Sequence, residues 1–141
     1  MPAPVIRFRI DFAKDRHLGP GKIELLEGIQ KSGSLSQAAR DLGMSYRRAW
    51  LLVDSLRSSF REPVVVTMTG GKGGGGVTVT KFGELLIKSY RALERDIARA
   101  AARRLQAIAP AVAERTASNG GSTRRPLVHR RGSGRLPGSA N

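Results

Sequence analysis

The chain has 141 residues, enough for one compact domain and a tail, and its 25 Lys and Arg against 11 Asp and Glu give a net charge of +14. The absence of Cys excludes disulfides, thiolate metal sites and Cys nucleophiles, and the excess of positive charge favours a polyanionic partner such as nucleic acid. No apolar run approaches the roughly 20 residues of a membrane span, and the N-terminus does not resemble a leader, so we expect a cytoplasmic protein without membrane contact.

The first predicted element is a strand over residues 5–12, where apolar and polar residues alternate. A break follows at residues 18–21, where Gly and Pro occur together. The first helix is expected over residues 22–31, because Ile23, Leu26 and Ile29 recur at helical spacing. The apolar face of the strand comprises Ile6, Phe8, Ile10 and Phe12.

The second helix has a clear start and end. Ser34 is a good N-cap residue, and Gln37 three positions later completes a capping box. Gly43 stands where a left-handed residue ends a helix. Ser45 then caps a third helix over about residues 45–60, whose inner stripe comprises Ala49, Val53, Leu56 and Phe60.

Two runs rich in Val and Thr, at residues 64–69 and 77–80, enclose a stretch dominated by glycine. This pattern predicts a β-hairpin with a long loop. A long helix is expected from Lys81 to about Ile108, with Thr80 as its cap and Pro110 after its end. At 1.5 Å per residue it reaches roughly 40 Å, which is longer than the predicted core requires.

The excess length of this helix suggests a partner helix, most simply from a second copy of the chain. Apolar residues follow one another along it at spacings of four and three, as in a heptad pattern. We therefore expect a homodimer whose interface contains Leu86, Tyr90, Leu93 and Ile97.

Residues 111–141 consist mainly of Gly, Ser, Arg and Pro. They contain too few large apolar residues to offset the entropy of the chain, so we expect a disordered tail. Six Arg against one Glu give this tail a net charge of +5, which leaves +9 on residues 1–110. The predicted organisation is thus one domain over residues 1–110 and a basic tail over residues 111–141.

Two short helices joined by a tight turn containing Gly form a helix-turn-helix unit. Its second helix would be the recognition helix, with Arg47 and Arg48 exposed at the N-terminal end. Arg binds guanine or phosphate, and Leu51 on the outward face suits a thymine methyl group. The predicted DNA contacts of the helical unit are Ser34, Ser45, Tyr46, Arg47, Arg48 and Leu51. Trp50 is assigned to packing rather than to contact.

The glycine-rich loop contains a Gly-Lys pair, which raises the alternative of a nucleotide-binding enzyme. A phosphate-binding loop needs Gly, four residues and then Gly-Lys-Ser/Thr, whereas Gly71-Lys72 is followed by Gly73 and preceded by Val66 at the position of the first Gly. The two histidines, His17 and His129, are far apart. We therefore expect no enzymatic activity, no cofactor and no metal site.

Strand, three helices, hairpin and long helix follow one another in the winged-helix order. The predicted fold is mainly α with a small β-sheet, a winged helix-turn-helix with a long C-terminal dimerisation helix. The loop over residues 69–76 is then the tip of the wing. Its glycines would let backbone N–H groups approach the DNA backbone, and the predicted contacts there are Lys72, Gly73 and Gly74.

The strings "GSLSQAARDLGMSYRRAWLLVDSL" and "TGGKGGGGVTVTKFGELLIKSY" resemble the N-terminal winged-helix domain of the ModE family, the bacterial molybdate-responsive transcription regulators. That domain has kinship with the helix-turn-helix of LysR-type regulators. The resemblance implies a homodimer bound to double-stranded DNA, with the third helix in the major groove and the wing on the flanking backbone. It extends over about residues 18–90.

Members of this family carry further C-terminal domains that bind molybdate, and no such pattern follows Pro110. We therefore expect a short form with no molybdate site, in which a link to molybdenum depends on the resemblance alone. The expected function is a transcription regulator that binds a near-palindromic operator. The alternative is a non-specific architectural DNA-binding protein. The two differ in the ratio of specific to non-specific affinity, roughly 10³ or more for a specific reader.

Overall fold

The computed structural model describes residues 4–68 and 76–113. The elements in chain order are β1 (Ile10–Ala13), β2 (Arg16–Leu18), α1 (Pro20–Ser32), α2 (Leu35–Asp41), α3 (Tyr46–Ser59), β3 (Val65–Met68), β4 (Gly76–Val79) and α4 (Lys81–Leu105), followed by a single 3-10 turn at Ala109–Ala111. The predicted fold class is confirmed: the chain is mainly α-helical, with small antiparallel sheets and a long C-terminal helix. The predicted disorder of the tail beyond residue 113 lies outside the described residues.

The N-terminal strand is shorter than predicted and belongs to a hairpin that the sequence pattern does not reveal. β1 begins at Ile10 and pairs antiparallel with β2, in the register Ile10↔Leu18. Asp15, with φ 59°, takes the left-handed conformation in the turn. The three residues of β2 offer no partner to the chain before Ile10, so the predicted strand over residues 5–12 is wrong in its first half. Phe12, predicted on the apolar face of the strand, is 56% exposed.

The N-terminal segment is held on α4 through Phe8 and Tyr90. Their rings stack with centroids 4.4 Å apart, and the Tyr90 hydroxyl donates to the Phe8 carbonyl oxygen at 2.7 Å. Nearby, Arg91 of α4 bonds Glu27 of α1 as well as Glu94 of its own helix. The hydrogen bond to Glu27 is the main cause of a raised Arg91 pKa, which burial partly opposes. These contacts fix α4 against α1 and the N-terminus.

The helix boundaries follow the predicted signals closely. α1 begins at Pro20, two residues before the predicted start, because Pro is tolerated in the first turn, where its missing N–H has no helical partner. Gly33 ends it with φ 69° and donates its N–H to the Ile29 carbonyl at 2.8 Å. Ser34 caps α2 as predicted, accepting from the Gln37 N–H. The reciprocal half of the capping box is wrong, since the Ser34 N–H donates to the Ser32 hydroxyl and the Gln37 side-chain oxygen accepts from Arg40.

The base of the wing, where β3 and β4 leave the body of the domain, is fixed from two sides. The Val77 N–H donates to the Gly33 carbonyl oxygen at 3.0 Å, which joins β4 to the turn between α1 and α2. The Thr80 N–H donates to the Val64 carbonyl, and the Thr80 hydroxyl caps α4 by accepting from the Gly83 N–H at 3.0 Å. The predicted hairpin and the predicted cap of α4 are both confirmed.

The first half of α4 closes the hydrophobic core. Leu86, Ile87 and Tyr90 are buried there together with the inner faces of α1, α2 and α3. The prediction that Leu86 and Tyr90 contact a second copy of the chain therefore needs correction, because the domain's own core leaves only 8% and 1% of their surfaces exposed. Leu93 is 39% exposed and Ile97 is partly exposed, so both remain available.

In the described part of the chain, no helix combines the length and the apolar character that crossing a membrane requires.

The close approach of α4 to the wing base depends on Gly83. A methyl group there would collide with the Val64 carbonyl oxygen and lie 2.6 Å from Cγ1 of Val79. We expect Gly83→Ala to lower the free energy of unfolding by about 1–3 kcal/mol, since an overpacked contact forces neighbouring groups to shift. Urea unfolding followed by circular dichroism measures the change.

Gly21→Ala is the matched control. Gly21 lies in the first turn of α1, and a methyl group added there would have no heavy atom within 4 Å, so the substitution should be neutral or slightly stabilising. Equal losses of stability in the two variants would show that the packing at Gly83 is not the cause.

Candidate nucleic-acid interface

Helix α3, the predicted recognition helix, begins with three exposed polar or basic side chains. The Ser45 hydroxyl accepts from the Arg48 N–H at 3.1 Å, so Ser45 is the N-cap as predicted. Tyr46, Arg47 and Arg48 follow, and all three are exposed. Free N–H groups and the helix dipole favour an anion at such an end. The N-terminus of α3 therefore presents cationic and hydrogen-bonding groups together.

The outward stripe of α3 also carries an apolar residue. Leu51 lies one turn after Arg47 and is 52% exposed, whereas Ala49, Val53 and Leu56 of the inner stripe are buried. An isolated exposed leucine is common on protein surfaces. Its place in the outward stripe, directly beside Arg47, suits contact with an apolar group on a base edge.

A buried lysine holds α3 in place from the side opposite the wing. Lys22 of α1 is 3% exposed, and its ammonium group donates to Ser55 of α3 at 2.8 Å and to the His17 carbonyl of β2 at 2.7 Å. Burial lowers the pKa of Lys22 from its ordinary value, and the nearby Arg9 lowers it further. No local pattern in the sequence indicates this contact, because it joins three elements distant along the chain.

Trp50, for which packing is the more frequent role, lies partly exposed on the surface. It is 48% exposed, and Tyr46, one turn earlier on the same stripe, is 56% exposed. The stripe faces the wing rather than the core. The signal that could have identified it is its four-residue spacing from Tyr46, offset from the inner stripe of Ala49 and Val53.

A cleft of about 190 Å³ lies between this stripe, the start of α2 and the wing strands. We call it the helix–wing cleft. The buried side chains of Leu35, Val53 and Val65 belong to its lining. Its other lining residues from α2, α3 and the wing are Ser34, Ser36, Tyr46, Trp50, Asp54, Arg57, Thr67 and Val77.

The predicted contact residues divide into three groups. Tyr46, Arg47, Arg48 and Leu51 lie exposed on α3, with Ser45 as the cap that begins the helix. Ser34 lines the helix–wing cleft, and its hydroxyl caps α2. The predicted wing-tip contacts Lys72, Gly73 and Gly74 lie outside the described residues.

A second groove of about 460 Å³ lies at the end of α3 and includes Arg57, Arg61 and Glu62. Within residues 4–68 and 76–113 there is no group of three or more His, Cys, Asp and Glu side chains arranged to hold a metal ion.

Comparison with known proteins identifies regulators and molybdenum-related proteins as relatives. The chain is 44% identical over 71 residues to the DNA-binding transcriptional dual regulator ModE of Escherichia coli K12. The matched region covers 50% of this chain and 27% of that protein. The chain is 42% identical over 82 residues to the molybdenum-pterin-binding protein MopB of Rhodobacter capsulatus, covering 58% and 30% respectively. The molybdenum transport protein ModE of Azotobacter vinelandii is 38% identical over 88 residues, covering 62% and 33%. No family model matches the chain.

The predicted resemblance is therefore confirmed: over about half of its length the chain is homologous to ModE and Mop proteins. It spans about a third or less of the length of these relatives. Their names describe regulators, a transport protein and molybdenum-pterin-binding proteins rather than enzymes, in agreement with the prediction of a non-enzymatic protein.

Two substitutions of Ser45 separate its role as a cap from a role at the interface. Ser45→Ala removes the acceptor for the Arg48 N–H and should lower the free energy of unfolding by about 1 kcal/mol. Ser45→Asp keeps an acceptor and adds a charge favourable to the helix dipole, so its stability should match the native protein. Thermal unfolding of the three proteins measures this.

The same three proteins should rank differently in DNA binding. Ser45→Asp places a negative charge beside Arg47 and Arg48, so it should bind DNA more weakly than Ser45→Ala despite its greater stability. If DNA affinity follows stability across the three proteins, Ser45 acts only as a cap.

Proposed function

We propose that this protein is a DNA-binding transcription regulator. The observation that carries the proposal is the exposed N-terminal end of α3, where Arg47 and Arg48 lie beside Leu51 in a helix-turn-helix unit. The net charge of +14 suits the phosphate backbone, and the relatives include proteins named as transcriptional regulators. In this function α3 enters the major groove and reads base edges through its outward stripe.

The wing supports the same binding mode. The bonds of Val77 and Thr80 fix the base of the wing to the helix-turn-helix unit and to α4, so β3 and β4 keep a defined position beside α3. The loop between these strands, with Lys72, Gly73 and Gly74, would extend to the backbone next to the major groove. Backbone contacts of this kind set the register of a protein on DNA.

A specific reader is favoured over a non-specific architectural protein. The exposed face of α3 combines arginines with Leu51, an apolar residue that contributes nothing to phosphate binding. A surface for phosphate alone would gain from a further basic residue at that position. The names of the relatives connect those proteins with molybdenum, and we propose that the genes controlled by this protein are connected with molybdenum as well.

We further propose that the regulator is a homodimer formed through α4. With 25 residues this helix is about 37 Å long, and only its first half is buried by the domain. Leu93 and Ile97 continue the apolar spacing of Leu86 and Tyr90 beyond the core. Two recognition helices related by a twofold axis would lie about 34 Å apart, one turn of DNA, and bind a near-palindromic operator.

Arg47→Ala tests the reading of base edges. If Arg47 bonds a guanine, the substitution should reduce affinity for a selected operator by about 1–3 kcal/mol and relax the preference at one base pair. The operator is first obtained by selection from random duplexes, and affinities are measured by fluorescence anisotropy. Genome-wide binding with and without molybdate then identifies the controlled genes and any response to the oxyanion.

Arg103→Ala is the control for this experiment, because it removes the same charge from the last turn of α4. If Arg47→Ala weakens selected and random duplexes equally, Arg47 contacts only phosphate. If no selected duplex binds better than random DNA, the specific-regulator proposal is wrong and the architectural alternative holds.

Leu93→Asp tests the dimer. A charge in the proposed interface should shift the protein from twice the chain mass to the single chain mass in sedimentation equilibrium. Ala102→Asp introduces the same side chain at an exposed position about half a turn around α4 and should leave the mass unchanged. A native protein that sediments as a monomer contradicts the proposed dimer.

A further inference from the structure

The helix–wing cleft is smaller than the pockets that usually enclose a drug-sized ligand. Its volume of about 190 Å³ is below the roughly 300–1,000 Å³ of pockets that enclose small molecules. It is bounded by α2, α3 and both wing strands. A small cleft between three elements suits the edge of an extended polymer better than the whole of a drug-sized ligand.

The walls of the cleft carry two large aromatic side chains whose exposed surfaces suggest contact with a partner. Trp50 and Tyr46 expose about half of their surfaces next to the apolar lining of Leu35 and Val65. Aromatic rings of this type pack on sugars and bases in nucleic-acid complexes. Both rings belong to the helix that carries Arg47 and Arg48, so a DNA duplex in contact with those arginines would pass close to the cleft.

The polar lining includes donors that suit a phosphate group. Arg57 is exposed at the cleft, two helical turns after Trp50, and makes no ion pair with any other residue of the described part. Ser36 and Thr67 are exposed on the α2 and wing sides and supply hydroxyl groups. Hydroxyl and Arg donors of this kind account for much of phosphate binding in protein–DNA complexes.

One lining residue has the opposite charge. Asp54 lies three residues before Arg57 and forms no ion pair within residues 4–68 and 76–113. Its carboxylate repels a phosphate at short range. A phosphate in the cleft would therefore lie on the side of Arg57, and the apolar part of the backbone would face Trp50.

We infer that the helix–wing cleft holds the sugar–phosphate backbone of one strand of duplex DNA, with the Trp50 ring against the backbone and Arg57 on a phosphate. The inference rests on the proposed function and adds to it a set of contacts on the wing-facing stripe of α3. These contacts are independent of sequence and orient the helix, whereas the outward stripe with Arg47 and Leu51 reads the bases.

The protein contains its own probe for this inference, because Trp50 is its single tryptophan. A labelled duplex of random sequence is titrated with the full chain at low salt, and anisotropy reports binding. Quenching of Trp50 fluorescence by acrylamide is then measured with and without saturating duplex. We expect the quenching constant to fall severalfold in the complex, because the backbone covers the exposed half of the ring.

Each result of this titration has a defined meaning. If the duplex binds and acrylamide reaches Trp50 as readily as in the free protein, the cleft is not occupied and the inference is wrong, while the proposed function stands. If anisotropy detects no binding of random or selected duplexes, the proposed function itself is wrong. If polyglutamate protects Trp50 as well as DNA does, the cleft accepts an acidic polypeptide and the assignment to DNA is wrong.

Charge substitutions provide an independent test on the same complexes. Arg57→Gln should make the negative slope of log Kobs against log salt less steep by about 0.9, the contribution of one phosphate. It should weaken binding to all duplexes alike. Arg103→Gln removes an equal charge from the far end of α4 and should leave the slope unchanged. Asp54→Asn should strengthen binding to all duplexes severalfold. If Arg57→Gln loses affinity for one operator sequence only, the assignment of Arg57 to the backbone is wrong.

Aromatic substitutions complete the test. Trp50→Phe keeps a ring in the cleft and should retain most of the affinity, whereas Trp50→Ala should lose several-fold. Because Trp50 is about half exposed, both variants should remain folded, which circular dichroism checks before affinities are compared. Equal affinity of the Ala and Phe variants would show that the ring makes no contact.

Discussion

The carbonyl group of Val64 is the point on which the arrangement of the domain depends. Its oxygen accepts from the backbone N–H of Thr80, whose hydroxyl donates to the adjacent Pro63 carbonyl at 2.6 Å, and α4 lies so close to the Val64 oxygen that only glycine is accommodated at position 83. This junction sets where the long helix starts and how far apart the wing strands begin. Since the first half of α4 then covers α1, the core and the wing are positioned by the same few atoms. A regulator that reads DNA with a helix and a wing requires this fixed relation between them.

Helix α3, which we propose enters the major groove, is held on two sides and exposed on the other two. Its inner stripe is buried in the core, and the ammonium group of Lys22 fixes Ser55 on the side of the β1–β2 hairpin. Burying a lysine is unfavourable unless its donors find partners, and here a hydroxyl and a carbonyl group supply them. The remaining stripes carry Arg47 and Trp50. With its inner side supported, the helix keeps two adjacent surfaces free for the proposed contact with DNA, one outward and one facing the wing.

Local signals in the sequence predict most of the fold. Caps at Ser34, Ser45 and Thr80 and the left-handed Gly43 each depend on residues close by in the chain, and all four have the predicted role. The features that are wrong or missed depend on distant partners. A strand needs a neighbour to pair with, and β2 ends the pairing of the N-terminal strand at Ile10. Heptad spacing on α4 does not distinguish the domain's own core from a second chain, so it assigns Leu86 and Tyr90 to the wrong contact. In the site, helical spacing places Trp50 beside Tyr46 and away from the inner stripe, but the cleft that both residues line depends on where the wing lies.

The contact between Phe8 and Tyr90 bears on how the chain acquires its structure during translation. Their hydrogen bond spans 82 residues, so the segment around Phe8 has no docking site until α4 has been made. The pairs α1–α2 and β3–β4 are neighbours in sequence and close small loops, which costs little chain entropy. The α1–α2 pair and the paired wing strands can therefore make their contacts before α4 is complete, whereas the segment around Phe8 docks only afterwards, on α4.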